Sequence, residues 1–450
     1  MNSIERRAAV SLALIYATRM LGLFMILPVF ALYAEQLIHV TPILVGIAIG
    51  IYGLTQAIFQ IPFGAWSDRI GRKPVIITGL IIFALGSVIA AQAESIYWVI
   101  FGRALQGMGA IASAVMALAS DLTRPEQRTK VMAVIGASIG VSFMVALVIG
   151  PVLQNWFGVP GIFWITALLA LLGIVIVALL IPTPTHSSSY ATINSEGLLS
   201  ALANKQLLRL DAGVFILHMV LTSVFVVVPV IMRDSFEITP GEHWKVYLEV
   251  LTLSLVLLVP SIVFSEKLHK VKFAFLTAIV LCAIGHLLLT LQDNNFVLFF
   301  IAMVIFFWGF NLLEASMPSL VSKIANPRNK GMSMGVYSSS QFLGAFFGGL
   351  VAGVLVEFFD KNAVFLFAFI MFLIWFLVAY SMQTPTIYKT LTVSLGTIKT
   401  DRASDYAAQL LGLRGVADVT VVAEEGLAYL QIDKAIFEEK ELKNLCSQLN

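Results

Sequence analysis

Gly64-Ala65-Trp66-Ser67-Asp68-Arg69-Ile70-Gly71-Arg72-Lys73-Pro74 interrupts a chain that is apolar for long stretches on either side. Four of these eleven residues are charged, whereas only 12% of the 450 residues are charged and 59% are hydrophobic. Soluble domains carry about 25% charge and roughly 45–50% apolar residues, so the composition excludes an ordinary soluble enzyme. A bilayer's hydrocarbon is crossed by about 20 mostly apolar residues in a helix. Working outward from the charged segment, runs of that length fall at 11–34, 42–66, 75–93, 97–120, 131–155, 162–181, 209–232, 246–265, 273–291, 296–322, 331–356 and 362–381. The first is too long for a signal peptide, has no small-residue cleavage pattern and leads into further spans.

Lys and Arg collect in alternate loops: Arg6 and Arg7; Arg69, Arg72 and Lys73; Arg124, Arg128 and Lys130; Lys205 and Arg209; Lys267, Lys270 and Lys272; Lys323, Arg328 and Lys330. The intervening loops hold chiefly Arg233, Lys245 and Lys361. Positive loops remain cytoplasmic, so both termini and the 182–208 segment are expected on that side, with an even number of spans. Pro182-Thr183-Pro184-Thr185-His186-Ser187-Ser188-Ser189 reads as the start of a linker between two halves. Asp68–Lys73 has a counterpart in Glu266-Lys267-Leu268-His269-Lys270, and Arg128-Thr129-Lys130 in Arg328-Asn329-Lys330. Both lie about 200 residues on, which suits a transporter built from two parallel repeats.

After Met382 the chain reads as soluble protein. Leu391 to Ile398 alternates like a strand, and Asp401 to Leu411 has helical spacing with Asp401 as a cap. Val416 to Ala423 and Leu427 to Ile432 read as strands about the turn Glu424-Glu425-Gly426, and Glu438 to Leu449 as a helix. This β-α-β-β-α order resembles a ferredoxin-like module without its last strand. Cys282 and Cys446 form no Cys-x-x-Cys, so no metal, disulfide or thiol redox site is expected. A net charge of +2 offers no bulk field for nucleic acid, and no phosphate-binding Gly-x-x-x-x-Gly-Lys-Ser/Thr points to ATP or another cofactor.

Gly64, Asp68, Arg69, Gly71, Arg72 and Lys73 together resemble motif A of the major facilitator superfamily, Gly-x-x-x-Asp-Arg-x-Gly-Arg-Lys, in the loop where that family carries it. Gly64 lets a neighbouring helix approach, Gly71 permits a tight turn, and Asp68 puts a carboxylate at a helix end. The resemblance implies that Asp68 faces the N-terminus of the eleventh span near Gly331 and Met332. That contact would hold the cytoplasmic side shut, favoured by roughly 0.3–1 kcal/mol of helix dipole and up to about 2 if partly buried. The basic residues also set topology and meet anionic lipid. Asp121, ending the fourth span, is expected to join this network through Arg69 or Arg124.

Arg103-Ala104-Leu105-Gln106-Gly107-Met108-Gly109 resembles motif B, which the family links to proton coupling; the alternative is that Arg103 snorkels to the outer interface. Arg19 precedes Leu21-Gly22-Leu23-Phe24-Met25-Ile26-Leu27-Pro28-Val29, which is similar to the first-helix signature of the drug/proton antiporter branch. Gly150-Pro151 ends a small-residue fifth span similar to antiporter motif C, although Ala137 and Ala146 replace usual glycines and Gln154-Asn155 a glycine pair. Plain helix packing would also use Gly150 and Pro151. Glu314, one turn after Asn311, is the best second-half candidate for a proton-binding carboxyl, since the membrane interior penalises its charged form. Asp211, His218, Glu249 and His286 are weaker candidates, and the run Phe306–Phe310 lines a greasy cavity or faces lipid.

The expected fold is thus an all-α membrane protein with twelve transmembrane helices in two pseudo-symmetric six-helix bundles, 1–181 and 209–382, joined by a 182–208 linker. A 390–450 ferredoxin-like α+β soluble domain follows. The resemblance implies a bacterial inner-membrane secondary transporter, not an enzyme, that exchanges protons for a small amphipathic compound by alternating access. Proton-coupled uptake and a transporter-derived sensor are the alternatives. Expected partners are the small-molecule substrate, protons and lipid but no nucleic acid, while the tail docks on the cytoplasmic loops or self-associates.

Overall fold

A computed structural model describes residues 1, 3–182, 202–267, 271–325, 330–382, 388–395, 403–422, 426–433, 436–438, 441–442 and 444–445. Residues 183–201 of the expected linker, Leu268–Lys270, Arg328, Asn329, Asp401, Glu424, Glu425, Cys446 and much of the expected 438–449 helix lie outside the described residues. The chain divides into two units, Met1–Gln383 and Thr384–Asn450.

The first unit is helical: α1 (Ser3–Phe24), α2 (Phe30–Ala34), α3 (Pro42–Ile70), α4 (Arg72–Ala91), α5 (Ile96–Met108), α6 (Ala112–Asp121), α7 (Pro125–Leu179), α8 (Lys205–Asp234), α9 (His243–Lys267), α10 (Val271–Thr290), α11 (Phe296–Ile324), α12 (Lys330–Phe358) and α13 (Lys361–Tyr380). Polar residues at the expected loop positions start several of them. The side chains of Thr41, Asn204, Asn295 and Asp360 accept from backbone N–H groups of the following turn. Gly71, at φ 105°, separates α3 from α4 in a conformation that needs glycine.

Among the described residues, eleven helices are long and apolar enough to cross a membrane, and many large apolar side chains point outward, including Leu168, Leu179, Val256 and Leu377. Surfaces of that kind belong in lipid. The expected fifth and sixth spans are one of the eleven, because α7 runs on through a break at Gly158 (φ 65°). Both ends of α7 meet the start of α1: Arg124 pairs with Glu5, and Arg7 donates to the Leu179 carbonyl. The chain therefore doubles back at Gly158 and α7 supplies two crossing segments. Conversely, the first span is interrupted between Phe24 and Phe30 and the fourth between Met108 and Ala112.

Contacts recur along the chain at a fixed interval. Lys73 donates to the Ile181 carbonyl, and Lys272, 199 residues later, donates to the carbonyl of Tyr380, 199 residues after Ile181. The crossing of α4 with α5, through Gly86 on Gly102, is matched by α10 with α11, through Gly285 on Ala302. Gly79 and Gly109 likewise have counterparts in Ala278 and Gly309. Glycine or alanine is required at each because the neighbouring backbone occupies the space of a longer side chain.

One hydrophobic core runs through both halves, uniting Phe30, Ile49 and Phe163 with Phe225, Phe307 and Phe372; a second is built from first-half residues such as Ile15, Val75 and Val115. The halves join along α3 and α12. Cβ atoms on Gly46, Gly50 or Gly53 would strike the backbone of Gly349, Phe346 or Phe342, and Gly353 lies equally close to Pro42. Beyond the Tyr52–Phe342 ring contact the pair separates. At Gly331 and Gly335 of α12, and at Gly136 and Gly140 of α7, no described atom lies within 4 Å of where a Cβ would be.

In the second unit β1 (Tyr388–Ser394), α14 (Ala403–Leu411), β2 (Val416–Val422) and β3 (Leu427–Asp433) follow in order. The sheet order is β1-β3-β2, and β3 pairs antiparallel with both neighbours. Leu395, Leu410, Ala428, Leu430 and Ile432 form its core.

Candidate functional site

The charged loop between α3 and α4 is held by its own residues. Asp68 pairs with Arg72 one turn on, and Arg72 also binds Asp121 (3.1 Å) and donates to the Ser67 hydroxyl (2.7 Å). Asp121 thus meets Arg72, which lies on the α3–α4 turn that faces the end of α6; Arg69 is exposed, and Arg124 engages Glu5. Gly64 leaves room for Ser113 of α6, whose hydroxyl donates to the Gln60 carbonyl (2.8 Å). Lys73 is used against Ile181 (2.5 Å). Asp68 keeps about a third of its side-chain surface exposed on the side where α3 and α12 part.

Deeper in the first half, Arg19 and Arg103 flank one aromatic ring, their guanidinium carbons 5.9 and 5.4 Å from the Tyr52 centroid. Both are buried. Arg19 donates to Gln56 (2.6 Å) and to the Gly109 carbonyl (2.9 Å), which the interruption between α5 and α6 makes available. Arg103 donates to the carbonyls of Ala48 and Ile49 and to Gln106. It does not snorkel; it reaches inward to α3, because a guanidinium in lipid is costly, by about 2.5–3.5 kcal/mol, unless donors find acceptors.

The second half sets acids against this. Glu314 of α11 lies 3.8 Å from His218 of α8, whose Nε2 is 2.7 Å from the Gln341 side chain of α12. Asn311, one turn before Glu314, donates to Ser254 of α9 (3.2 Å). Asp211 is buried, Glu249 is exposed, and His286 is packed among Phe306, Phe365 and Phe372. Phe307 and Phe310 turn inward against Phe143 of α7, which also packs on Phe24 and Phe225. The result is an aromatic floor shared by both halves, with the His218 ring beside Phe310. Gln341 and Tyr337 escaped the sequence reading, though their spacing with Gly344 and Gly348 marks a single helix face.

At the joined end, polar contacts link the halves. Arg233, ending α8, makes a double hydrogen bond to Glu35 beside α2 (2.6 and 2.9 Å) and a further one to Asp234, which also accepts from Lys361 (2.5 Å). Glu357, in the last turn of α12, accepts from the first-turn amide of Ile43 in α3 (3.1 Å). This places a carboxylate on a helix N-terminus, where the dipole favours it. Gly150 packs its bare Cα against the Met25 carbonyl and Pro28, so the fifth-span motif seats directly on the break in the first span.

Residues 12–265 and 210–393 match the family model of the Major Facilitator Superfamily, and the chain belongs to that family of membrane transporters. It is 42% identical over 451 residues to the inner membrane transport protein YajR of Escherichia coli, covering 99% of this chain and 98% of that protein. Multidrug resistance protein MdtH of Proteus mirabilis is 26% identical over 339 residues, 74% of this chain and 81% of that one. A solved bacterial homologue of the human lysosomal transporter Spinster has the same fold, with a TM-score of 0.67 at 14% identity over 84% of this chain and 97% of its own.

The half-exposed Arg233–Glu35 contact is worth about 0.2–1 kcal/mol after solvent screening. Arg233→Gln should therefore open the joined end up to about fivefold more often, and high salt should do the same in wild type. Maleimide labelling of a cysteine at buried Val45, with Cys282 and Cys446 replaced, reads this directly; an unchanged rate would show that the glycine crossing alone keeps the end closed.

Proposed function

We propose that the chain is a proton-coupled exporter of a small amphipathic compound, working by alternating access in a bacterial inner membrane with both termini cytoplasmic. The observation that carries the reading is the unequal contact of the halves: joined through α3, α12 and Arg233–Glu35, parted where the Asp68 loop lies. On the topology given by the positive loops, this is a cleft open to the cytoplasm. The contacts repeated at 199-residue spacing support two pseudo-symmetric six-helix bundles, and the name of MdtH, a multidrug resistance protein, supports export. Gly150 seated on the first-span break favours antiport over uptake.

In this reading Glu314, paired with His218, carries the proton, while Arg19 and Arg103 remain fixed cations. Compounds that raise the unfolding temperature of the purified protein are the substrates to assay. Added to everted vesicles, they should drive proton flux with wild type and none with Glu314→Gln. Equal flux in both would remove Glu314 from coupling.

The Asp68 loop is the second latch. When the cleft closes on its side, Asp68 leaves Arg72 for the α12 N-terminus near Gly331 and Met332, with Gly64, Arg69, Gly71, Lys73 and Asp121 supporting the loop. Asp68→Asn removes the charge and little volume, so a cysteine at Gly335 should label roughly two- to fivefold faster, matching about 0.4–1 kcal/mol of lost dipole contact. An unchanged rate would count against the latch.

The β1-β3-β2 order, with α14 crossing from β1 to β2, supports a ferredoxin-like tail. It serves as a docking module for the cytoplasmic loops or a second copy of itself. Removing residues 390–450 should change transport rate; an unchanged rate would leave the tail with no regulatory part.

A further inference from the structure

The second half holds another carboxyl that the transport reading leaves unused. Asp211 lies seven residues before His218 on α8, hence on the same face. It is 6% exposed, and its Oδ1 is buried without a hydrogen-bond partner. Helices α8 and α12 run side by side in one direction, with Met219 and Ser223 against Gly348, Phe215 against Gly344, and His218 against Gln341. These facing pairs are offset by 123 to 129 residues, and Tyr337 of α12, 126 residues after Asp211, falls within the same register toward the Asp68 end. Tyr337 is 3% exposed, its hydroxyl has no partner, and both Asp211 and Glu314 lie near enough to act on it electrostatically.

Three buried oxygens of these residues thus lack a hydrogen-bond partner: Asp211 Oδ1, the Tyr337 hydroxyl and Glu314 Oε2, the last 3.8 Å from His218 Nε2. Buried polar groups are otherwise paired as a rule. Two are carboxyl acceptors, and the one tyrosine hydroxyl can donate to only one at a time. A proton added to either carboxyl supplies the missing donor. The other titratable or charged groups near Asp211 are His218, Lys205 and Arg209 on its own helix; α13 presents Trp375 to Gly213, and no described cation is paired with Asp211.

We propose that Asp211 is a second proton-binding carboxyl, linked to Glu314 through the Tyr337 hydroxyl as a relay from the His218–Glu314 pair to the Asp68 end of the cleft. In each transfer the Glu314 O–H bond breaks as one forms on the Tyr337 oxygen, whose own proton passes to Asp211. A rotation of Tyr337 or an intervening water closes the gaps. One proton moves and the tyrosine ends neutral. The relay rests on the proton-carrying reading of Glu314, and its test separates the two.

Infrared difference spectroscopy of the full-length protein in lipid vesicles, between alkaline and acidic pH, reads the C=O stretch of carboxyls as they take up protons. Asp211→Asn should lose one buried-carboxyl component and Glu314→Gln another, while Tyr337→Phe shifts both and removes neither. Asp211→Glu, which retains the carboxyl, should restore a component and so distinguishes loss of the group from loss of folding. An Asp211→Asn spectrum superimposable on wild type overturns the second site. A Glu314→Gln spectrum superimposable on wild type overturns the Glu314 reading and with it the relay's source, whatever Asp211 does.

Discussion

The approach of α3 to α12 is the constraint on which the arrangement turns. Lipid tails are as apolar as leucine, so apolar burial does little to hold helices together within a membrane, and close backbone contact must do it. Gly46, Gly50 and Gly53 meet Gly349 and its neighbours with carbonyls resting where Cβ atoms would be. The contact is confined to one end of both helices, which leaves the other free to part. In the proposed cycle the two ends make a pair of alternative closures and not a continuously variable hinge. At the joined end the Glu357 carboxylate of α12 lies on the N-terminus of α3, and in the proposed second latch Asp68 takes the equivalent place at the other.

Charge is distributed between the halves in two chemically different forms. Arg19 and Arg103 are held by carbonyls, glutamines and the face of Tyr52. The second half places carboxyls and a histidine at the corresponding depth. His218 lies 199 residues after Arg19, so one repeat position carries a guanidinium in the first half and an imidazole in the second.

Several features were legible before any coordinates. Hydrophobic runs gave the crossing segments because a bilayer permits few alternatives to the helix. The 200-residue offset seen in Asp68–Lys73 and Arg128–Lys130 returns as paired contacts such as Lys73 on Ile181 and Lys272 on Tyr380. Glu314, Asn311, Arg19 and Arg103 stood out because polar groups are rare in spans. Tyr337 and Gln341 did not, since tyrosine and glutamine in a mixed helix carry no signal until their neighbours are known. Arg233 was visible only as a stray charge in an outer loop, and its partner Glu35 lies 198 residues away.

The amino-acid order by itself determined that most of the chain is helical and membrane-embedded, where the charged loops fall, and which family motif the Asp68 loop carries. Those properties depend on local composition and spacing, which solvent and lipid act on directly. Tertiary structure alone decided which end of the halves is joined, that Asp121 meets Arg72, that Arg103 turns inward to α3, and that Asp211, Tyr337 and Glu314 each bury an oxygen without a hydrogen-bond partner. Each depends on the crossing and register of helices distant in sequence, set by how glycine surfaces seat against one another rather than by any residue's own preference.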